Sequence, residues 1–427
     1  MKVLHIIDYL PDHHSIYGGA EIATLRLTDK LGKFGIKNFF ITSFPDKNFN
    51  ISSFIFPLKT VYNYIDLKNL KSWKNRILSI IDFYKIIFPF DFLIFFKCIK
   101  VLKKIKPDIV HFHNFKKLSF APLIWAKILK IPSVLTIYDY WFFCPNETLI
   151  TRKGEICNFF NSYKCFRCFK IPVKFRVFLP FRKIFFDFFL KMIDGYIFLS
   201  YSSLKIGKKY GLSKKKSIVI YQIFENFVEE EFIFPEENII LYIGWIQYRK
   251  GLHILIDALE QIVKNFRNVK LYIIGEIENV EQRYVKFILE KIKEKKLENY
   301  IKIIGKVPKE KVKEYIKIAK VVVIPEQWEN MSPVVLVEAM FNKKAIVASR
   351  IGGIFEFIED GKNGFLCEPK NSGDFAEKIL KFLNDDNLVK IMGENSYLKA
   401  KEIWDNEKNI EKIIKFYKNF LKNEQFF

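Results

Sequence analysis

The sequence predicts an α/β fold of two doubly wound domains, and three observations carry that expectation. The opening reads as a strand from Val3 to Ile7, a glycine loop, a helix from Ala20 to Lys33 and a strand from Asn38 to Thr42, a βαβ unit. The same grammar returns between Val321 and Leu366 as strand, loop, helix, strand and glycine loop, with acids at the joints. At 427 residues the chain is too long for one ordinary core. The units therefore read as domains at 1–220 and 238–400, with a linker at 221–237 and a C-terminal helix at 401–427.

The start, MKVLHIIDYL, carries one lysine, a short apolar run broken by Asp8 and no small-residue cleavage site. It predicts a first strand and not an export signal. Gly18 and Gly19 then precede Ala20 and Glu21. Paired glycines before a helix let backbone approach a ligand and leave amides facing it, although any sharp strand-to-helix turn uses glycine too. Next come a helix ending near Lys106, then Pro107, Asp108 and the strand IVHFHN. Alternation places His111 and His113 on one face and Phe112 on the other. His113, nearer the carboxyl end, is the candidate for touching substrate, and His111 is expected to be structural. The strand SVLTIYDYWFFCP follows and brings Tyr138 and Asp139 to its end.

Four of the six cysteines, Cys144, Cys157, Cys165 and Cys168, fall in one insert at about 144–168. Four thiolates can form a closed tetrahedral zinc site that staples a loop. The window holds a single C-x-x-C, KCFRC, where the more specific pattern has two. Two disulfides and free thiols are the alternatives, the disulfides being disfavoured without an export signal. Cys98 and Cys367 read as core residues.

Near Tyr221 the chain becomes acidic and aperiodic, with Pro235, as a linker would. The strand IILYIG leads through WIQYRKG into a helix. Arg249 and Lys250 sit at that helix start, where the helix dipole repels cations, so a bound anion is the better explanation of the pair. VKLYIIG, ending at Gly275, and IKIIGKVPKEKVKEYIKIAKVVVIPE supply three more strands. The run Val321–Ile324 is β-branched, as a buried parallel strand requires, and Pro325 removes the next ladder donor. Pro333 is expected as the first helical residue with Ser332 as its N-cap. A helix starting at the carboxyl edge of a sheet can hold a diphosphate on its free amides, here those of Met331, Ser332, Val334 and Val335. Glu338 lies just over one turn inside, so its carboxylate can lean back over the loop and accept from a ribose diol. An exposed glutamate on an amphipathic helix is the plainer alternative.

These residues resemble the carboxyl-terminal signature of the retaining glycosyltransferases of family 4. Glu338, Ala339, Met340, Gly352, Gly353, Glu356, Gly361 and Gly364 fall where that pattern places them. Asn330 stands where the pattern has its first glutamate, and Glu329 is one residue early. Gly244, Lys250 and Gly251 match a loop whose two cations neutralise the donor diphosphate; Trp245 replaces the arginine and Arg249 stands next to the lysine. Gly305 resembles the base-binding turn, and Gly18 and Gly19 the amino-terminal glycine loop. Tyr138 occupies the histidine position of a Thr-x-His-Asp step, which excludes protonated imidazole there, and Asn226 precedes Phe227 where the family has glycine.

The resemblance implies the GT-B architecture, two Rossmann-like domains facing across a cleft. It also implies transfer of a hexosyl-type unit from a nucleotide diphosphate sugar to a glycan or lipid-linked acceptor, with retention and without a catalytic metal. His113, Tyr138, Asp139, Arg249 and Lys250 become the expected catalytic group. Gly18, Gly19, Gly244, Gly305, Asn330, the residues from Met331 to Val335, and Glu338 become the expected donor contacts. An epimerase or hydrolase on the same fold, or a binding protein that has lost catalysis, are the alternatives.

The formal charge of +23, from 70 basic and 47 acidic residues, asks for an anionic partner. KIPVKFRVFLPFRKIFFDFFLKMI, from Lys170 to Ile193, interleaves basic and aromatic residues as an interfacial helix does, and a core helix with exposed lysines reads equally well. Nucleic acid is not expected, for want of any binding module or basic tail. The segment FYKIIFPFDFLIFFKC is interrupted by Lys85, Pro89 and Asp91, so no transmembrane helix is expected. The expected location is cytoplasmic, with the inner face of the membrane as a candidate surface.

Overall fold

The computed structural model describes residues 1–15, 18–46, 53–64, 73–168, 178–212, 216–224, 234–278 and 280–421. The chain forms two compact units, one of Met1–Glu225 with Asn406–Phe427 and one of Asn226–Asp405. Each is an α/β unit built on a parallel sheet.

In the first unit the strands are β1 (Lys2–Ile6), β2 (Lys37–Ser43), β3 (Ile55–Leu58), β4 (Ile109–Phe112), β5 (Ser133–Ile137), β6 (Gly195–Phe198) and β7 (Lys216–Val219). Their order is β3-β2-β1-β4-β5-β6-β7, all parallel. Strand order therefore reverses between β1 and β4, the place where ligands of such sheets bind, beyond the carboxyl ends. The apolar runs are continuous because both faces are covered: β4 and β5 are buried at every residue. Helix α1 (Gly19–Lys33) follows β1, and α2 (Trp73–Tyr84) and α3 (Phe92–Ile105) precede β4. The Asp91 carboxylate caps α3 by accepting from the amides of Leu93 and Ile94, and Lys106 ends it with φ 50° before Pro107. Helices α4 (Ala121–Ile128), α5 (Phe181–Met192) and α6 (Tyr201–Tyr210) follow among the described residues.

The interfacial-helix segment is partly described, residues 169–177 lying outside the described set. Within α5, Arg182, Phe186, Phe189 and Leu190 face the core, while Phe181, Ile184 and Phe188 are exposed. It is a core helix whose outer face is also apolar.

The second unit has β8 (Ile239–Ile243), α7 (Leu252–Asn265), β9 (Lys270–Ile274), α8 (Gln282–Glu294), β10 (Ile301–Gly305), α9 (Lys309–Ile318) and β11 (Val321–Ile324). It continues with α10 (Val334–Phe341), β12 (Ala345–Ser349), α11 (Ile354–Phe357), β13 (Phe365–Cys367), α12 (Ser372–Asn384) and α13 (Asp386–Ile403). Strand order is β10-β9-β8-β11-β12-β13, so its reversal lies between β8 and β11. Leu255, Leu259 and Ile262 of α7 pack with Leu271, Ile273, Val321 and Val323 of the strands in one core.

The last helix, α14 (Asn406–Leu421), belongs to the first unit and begins later than the 401 expected from sequence, because α13 stays with the second unit to Ile403. Asn406 holds the chain where it returns: its Oδ1 accepts from the Phe224 amide at 3.3 Å and its Nδ2 donates to the Phe224 carbonyl at 2.9 Å. Ile410, Ile413, Phe416 and Phe420 then pack on Val3, Ile109, Val134 and Ile197. Tyr417 is fully buried, its hydroxyl 2.6 Å from His111 Nδ1. Tyr417→Phe is expected to cost about 1–3 kcal/mol, since His111 keeps a buried polar atom without its partner. Urea unfolding of the full chain measures this directly. The expected linker at 221–237 spans the first crossing, and Asn226 and Phe227 lie outside the described residues.

Candidate functional site

The loops after β8 and β11 flank the reversal point of the second sheet and are locked together by a glycine. Gly251 has φ +71°, and a Cβ there would lie 1.8 Å from the Pro325 carbonyl oxygen. The Gln327 amide donates to the Arg249 carbonyl at 2.8 Å across the same join. This contact carries Lys250 to Glu326, where Nζ meets Oε1 at 2.5 Å, with both groups largely buried. Glu326 is further held by Asn330 Nδ2 at 3.0 Å and by the Trp328 indole N–H. The Arg249 guanidinium lies over the Trp328 ring, 4.5 Å from its centroid, and its Nε donates to Gln247. Burial lowers the Lys250 pKa, against the pull of Glu326 in the opposite direction. Two cations thus stand where β8 and β11 end.

Asn330 is a structural join. Its carbonyl accepts from the Gly353 amide at 2.7 Å, and a Cβ on Gly352, at φ +61°, would come within 2.3 Å of that carbonyl oxygen. The glycine pair after β12 therefore lets that loop press against the loop after β11. Helix α10 starts one residue later than expected: Pro333 is the N-cap, with ψ 120°, and Val334 is the first helical residue. Ser332 makes no capping bond; its hydroxyl is buried without a hydrogen-bond partner among the described residues. Val334 and Val335 are half-buried at the first turn, where amides have no intrahelical acceptor, while Met331 is buried. Glu338 stands in the following turn, half-buried. Gly244, Gly275 and Gly305 end β8, β9 and β10 side by side: the Gly244 amide donates to the Ile274 carbonyl and the Gly275 amide to the Gly305 carbonyl, each at 3.0 Å. Trp245, in the arginine position, is half exposed.

In the first unit Gly18 is the N-cap of α1 and Gly19 its first residue. The buried Glu21 carboxylate accepts from the Gly18 amide at 2.8 Å and from Asn114 Nδ2 at 3.2 Å, tying the glycine loop to the end of β4. His113 is buried. Its Nε2 is 2.9 Å from His5 Nδ1, its Nδ1 is 3.4 Å from the Tyr138 hydroxyl, and His5 Nε2 is 3.0 Å from Asn38 Oδ1. Asn38 Nδ2 donates to two carbonyls, so Oδ1 must accept. Direction then propagates: His5 donates to Asn38, His113 to His5, and Tyr138 to His113. His113 thus orients the Tyr138 hydroxyl, which burial keeps in its neutral form by raising its pKa. Asp139 accepts from the Trp141 amide and pairs with Lys116 at 3.0 Å, so it shapes the loop after β5. Asp8, buried beside the glycine loop, is pushed up to about 7 by burial, against the Lys117 and Leu118 amides it accepts from.

His5, His111 and His113 offer ligand nitrogens within 4.8 Å of one another. Each ring nitrogen is already engaged, His111 by Thr136 and Tyr417, so the cluster works as a hydrogen-bond network. Burial lowers the pKa of all three, that of His5 to about 4 from 6.5, and also that of His14. The folded chain therefore binds fewer of these protons than the unfolded chain; stability is full above the unfolded pKa and falls with pH toward 4. Asp8 works the other way, losing its contribution as pH rises from 3.8 through about 7. The histidines outnumber it. Lowering the pH from about 7 to about 5 is expected to cost of order 1 kcal/mol per histidine per unit. Urea midpoints across that range measure it, and His113→Asn should flatten the slope.

Sequence reasoning missed Glu326, the acid that meets Lys250. A glutamate directly after the proline that ends a buried strand was the available signal. His5 was missed too, and nothing local marks it.

A parallel two-unit α/β fold with cations and first-turn helix amides at a strand-order reversal has the features that suit a phosphorylated ligand. The chain belongs to the GT-B glycosyltransferases: residues 17–223 match the model of glycosyltransferase family 4, and residues 223–399 that of glycosyl transferases group 1. It is 33% identical over 187 residues to an uncharacterized glycosyltransferase of Methanocaldococcus jannaschii, covering 43% of this chain and 48% of that one. It is 31% identical over 185 residues to a poly(ribitol-phosphate) α-N-acetylglucosaminyltransferase of Staphylococcus aureus, covering 43% of this chain and 36% of the relative. A lipopolysaccharide 1,2-N-acetylglucosaminetransferase of Salmonella typhimurium is 31% identical over 188 residues, 43% of this chain and 49% of its own. These matches thus span about half or less of each relative's length. In fold the chain is similar to HepE of Anabaena, solved with UDP, at TM-score 0.69 and 19% identity over 98% of this chain and 100% of that one. It is also similar to sucrose-phosphate synthase of Thermosynechococcus elongatus, at 0.70 and 16% over 99% of each. Among the described residues no helix is long and apolar enough to cross a membrane.

Proposed function

We propose that this chain transfers a glycosyl unit from a nucleotide diphosphate sugar to a glycan or lipid-linked acceptor, with retained configuration. The observation that carries the reading is the pair Arg249 and Lys250 at the strand-order reversal, beside the first-turn amides of α10. In this reading the diphosphate sits against both, and their charge counts most as the glycosidic bond breaks and the phosphate oxygen gains charge. Positive charge supplied by side chains takes the place of a catalytic metal. Glu338 accepts from the ribose hydroxyls, and Gly305 leaves room for the base. Retention follows if the acceptor attacks the face the leaving group departs from, with a departing phosphate oxygen taking the acceptor proton. No protein nucleophile is then needed. On the acceptor side Tyr138 offers a neutral hydroxyl, with His113 fixing its direction.

Relatives named for poly(ribitol-phosphate) and lipopolysaccharide transfer support a polymeric or lipid-linked acceptor. The exposed Phe181, Ile184 and Phe188 of α5 support access to an acceptor at a membrane surface. A panel of nucleotide sugars screened by thermal shift should give one stabilising donor, because a ligand bound only to the folded state raises its stability. Adding glycan acceptors should then give an α- or β-linked product whose anomeric configuration matches the donor. Inverted product rules out the front-face mechanism, and free sugar alone indicates a hydrolase.

A further inference from the structure

The described part of the insert between β5 and α5 has little regular secondary structure. A bridge between Ile150 and Ile156 makes a small hairpin, closed by the Thr151 and Cys157 amides donating to the Glu155 and Leu149 carbonyls. A 3-10 turn at Tyr163–Arg167 carries Cys165 and leads into Cys168. The hairpin is flanked by Cys144 and Cys157. All four cysteines are free thiols, and the four residues line one cavity of about 530 Å³. Cys165 packs with Leu179 and Phe83, and Cys144 is buried, while Cys157 and Cys168 are half-buried. One backbone amide is aimed at a sulfur: Phe159 N–H donates to Cys157 Sγ at 3.5 Å. Amides donating to sulfur stabilise thiolate and are common around thiolate-bound metals.

A second observation points the same way. Arg182, fully buried at the base of the insert, donates through Nε to Asn161 Oδ1 at 2.9 Å and through its other nitrogens to the Ile86 and Trp141 carbonyls. These partners are neutral. A buried guanidinium without a facing anion is costly, and none of the ion pairs among the described residues includes Arg182. Two of its partners, Asn161 and Trp141, belong to the same insert as the four cysteines. Thiols deprotonated on binding a metal would bring negative charge to the same insert.

We propose that Cys144, Cys157, Cys165 and Cys168 bind one zinc ion that staples the insert, with Arg182 as counter-charge to the resulting anionic centre. Four soft thiolates without carboxylate or imidazole suit zinc. Binding releases the proton of each thiol, and four thiolates around a divalent ion leave a net charge of about −2. No electron transfer is involved. Zn–S bonds of about 2.3 Å draw the hairpin and the 3-10 turn onto one centre. The role is structural and independent of the transfer reaction.

The test uses the full chain, expressed with zinc available and purified without chelators, with zinc and iron measured by plasma mass spectrometry. About one zinc per chain is expected, falling to near zero in Cys168→Ser and unchanged in Cys98→Ala. Should Cys168→Ser fail to fold, cobalt substituted into the native chain gives the second reading: intense sulfur-to-cobalt charge-transfer bands and tetrahedral ligand-field bands. Less than about a tenth of an equivalent of zinc with all thiols titratable overturns the proposal. So does an intact mass showing two disulfides, or iron in place of zinc.

Discussion

Lys250→Met is expected to lower kcat/KM for the nucleotide-sugar donor by about 100- to 1000-fold, the loss typical when one preorganised charge is removed from a developing anion. The same change leaves Glu326 buried without its cation, and breaking such a pair costs about 3–5 kcal/mol of stability. The two effects separate in the double variant Lys250→Met with Glu326→Gln. Removing both charges should restore most of the stability, because an uncharged pair of similar size tolerates burial. It should restore none of the activity. Thermal unfolding beside steady-state kinetics on the native chain and the two variants reads both. Recovered activity in the double variant would mean that Lys250 serves only the fold.

Gly251→Ala is the second large effect. Its φ of +71° costs an alanine about 1–2 kcal/mol, and the new Cβ would sit 1.8 Å from the Pro325 carbonyl oxygen, so the loops after β8 and β11 must part. A loss of roughly 3 kcal/mol or more is expected, together with weaker donor binding, since the same join positions Lys250. Gly35→Ala is the matched control. Gly35 has φ +75° but nothing within 4 Å of the added carbon, so it should cost only about 1 kcal/mol and leave donor affinity unchanged. Urea unfolding and donor titration of both variants make the comparison.

Much of this fold was legible because parallel strands covered on both faces leave a plain trace. Val321–Ile324 ends at Pro325 as expected, and Ile239–Ile243 ends at Gly244. The glycine-to-helix joint of α1 and the cation pair before α7 are likewise local, set by a few consecutive residues. What stayed hidden depends on topology. Lys250 meets Glu326 across 76 residues and His5 meets His113 across 108, each pair brought together because neighbouring strands end at the same sheet edge. No periodicity encodes that. Asn330 drew attention as a missing acid, yet its amide supports Glu326 and its carbonyl receives the Gly353 amide. The cap of α10 is Pro333 and not Ser332, which is buried and makes no capping bond. The return of the chain at Asn406 rests on a side chain gripping Phe224, a contact of 182 residues' separation.

The most direct test of the diphosphate seat is calorimetric titration of the full chain with nucleoside diphosphates, alongside Arg249→Met and Lys250→Met with Glu326→Gln. Saturable binding near one equivalent, weakened about tenfold or more in each variant, is the result expected for charge-assisted contacts. Binding of equal affinity in all three proteins, or none to any nucleoside diphosphate, would contradict a diphosphate held at the ends of β8 and β11.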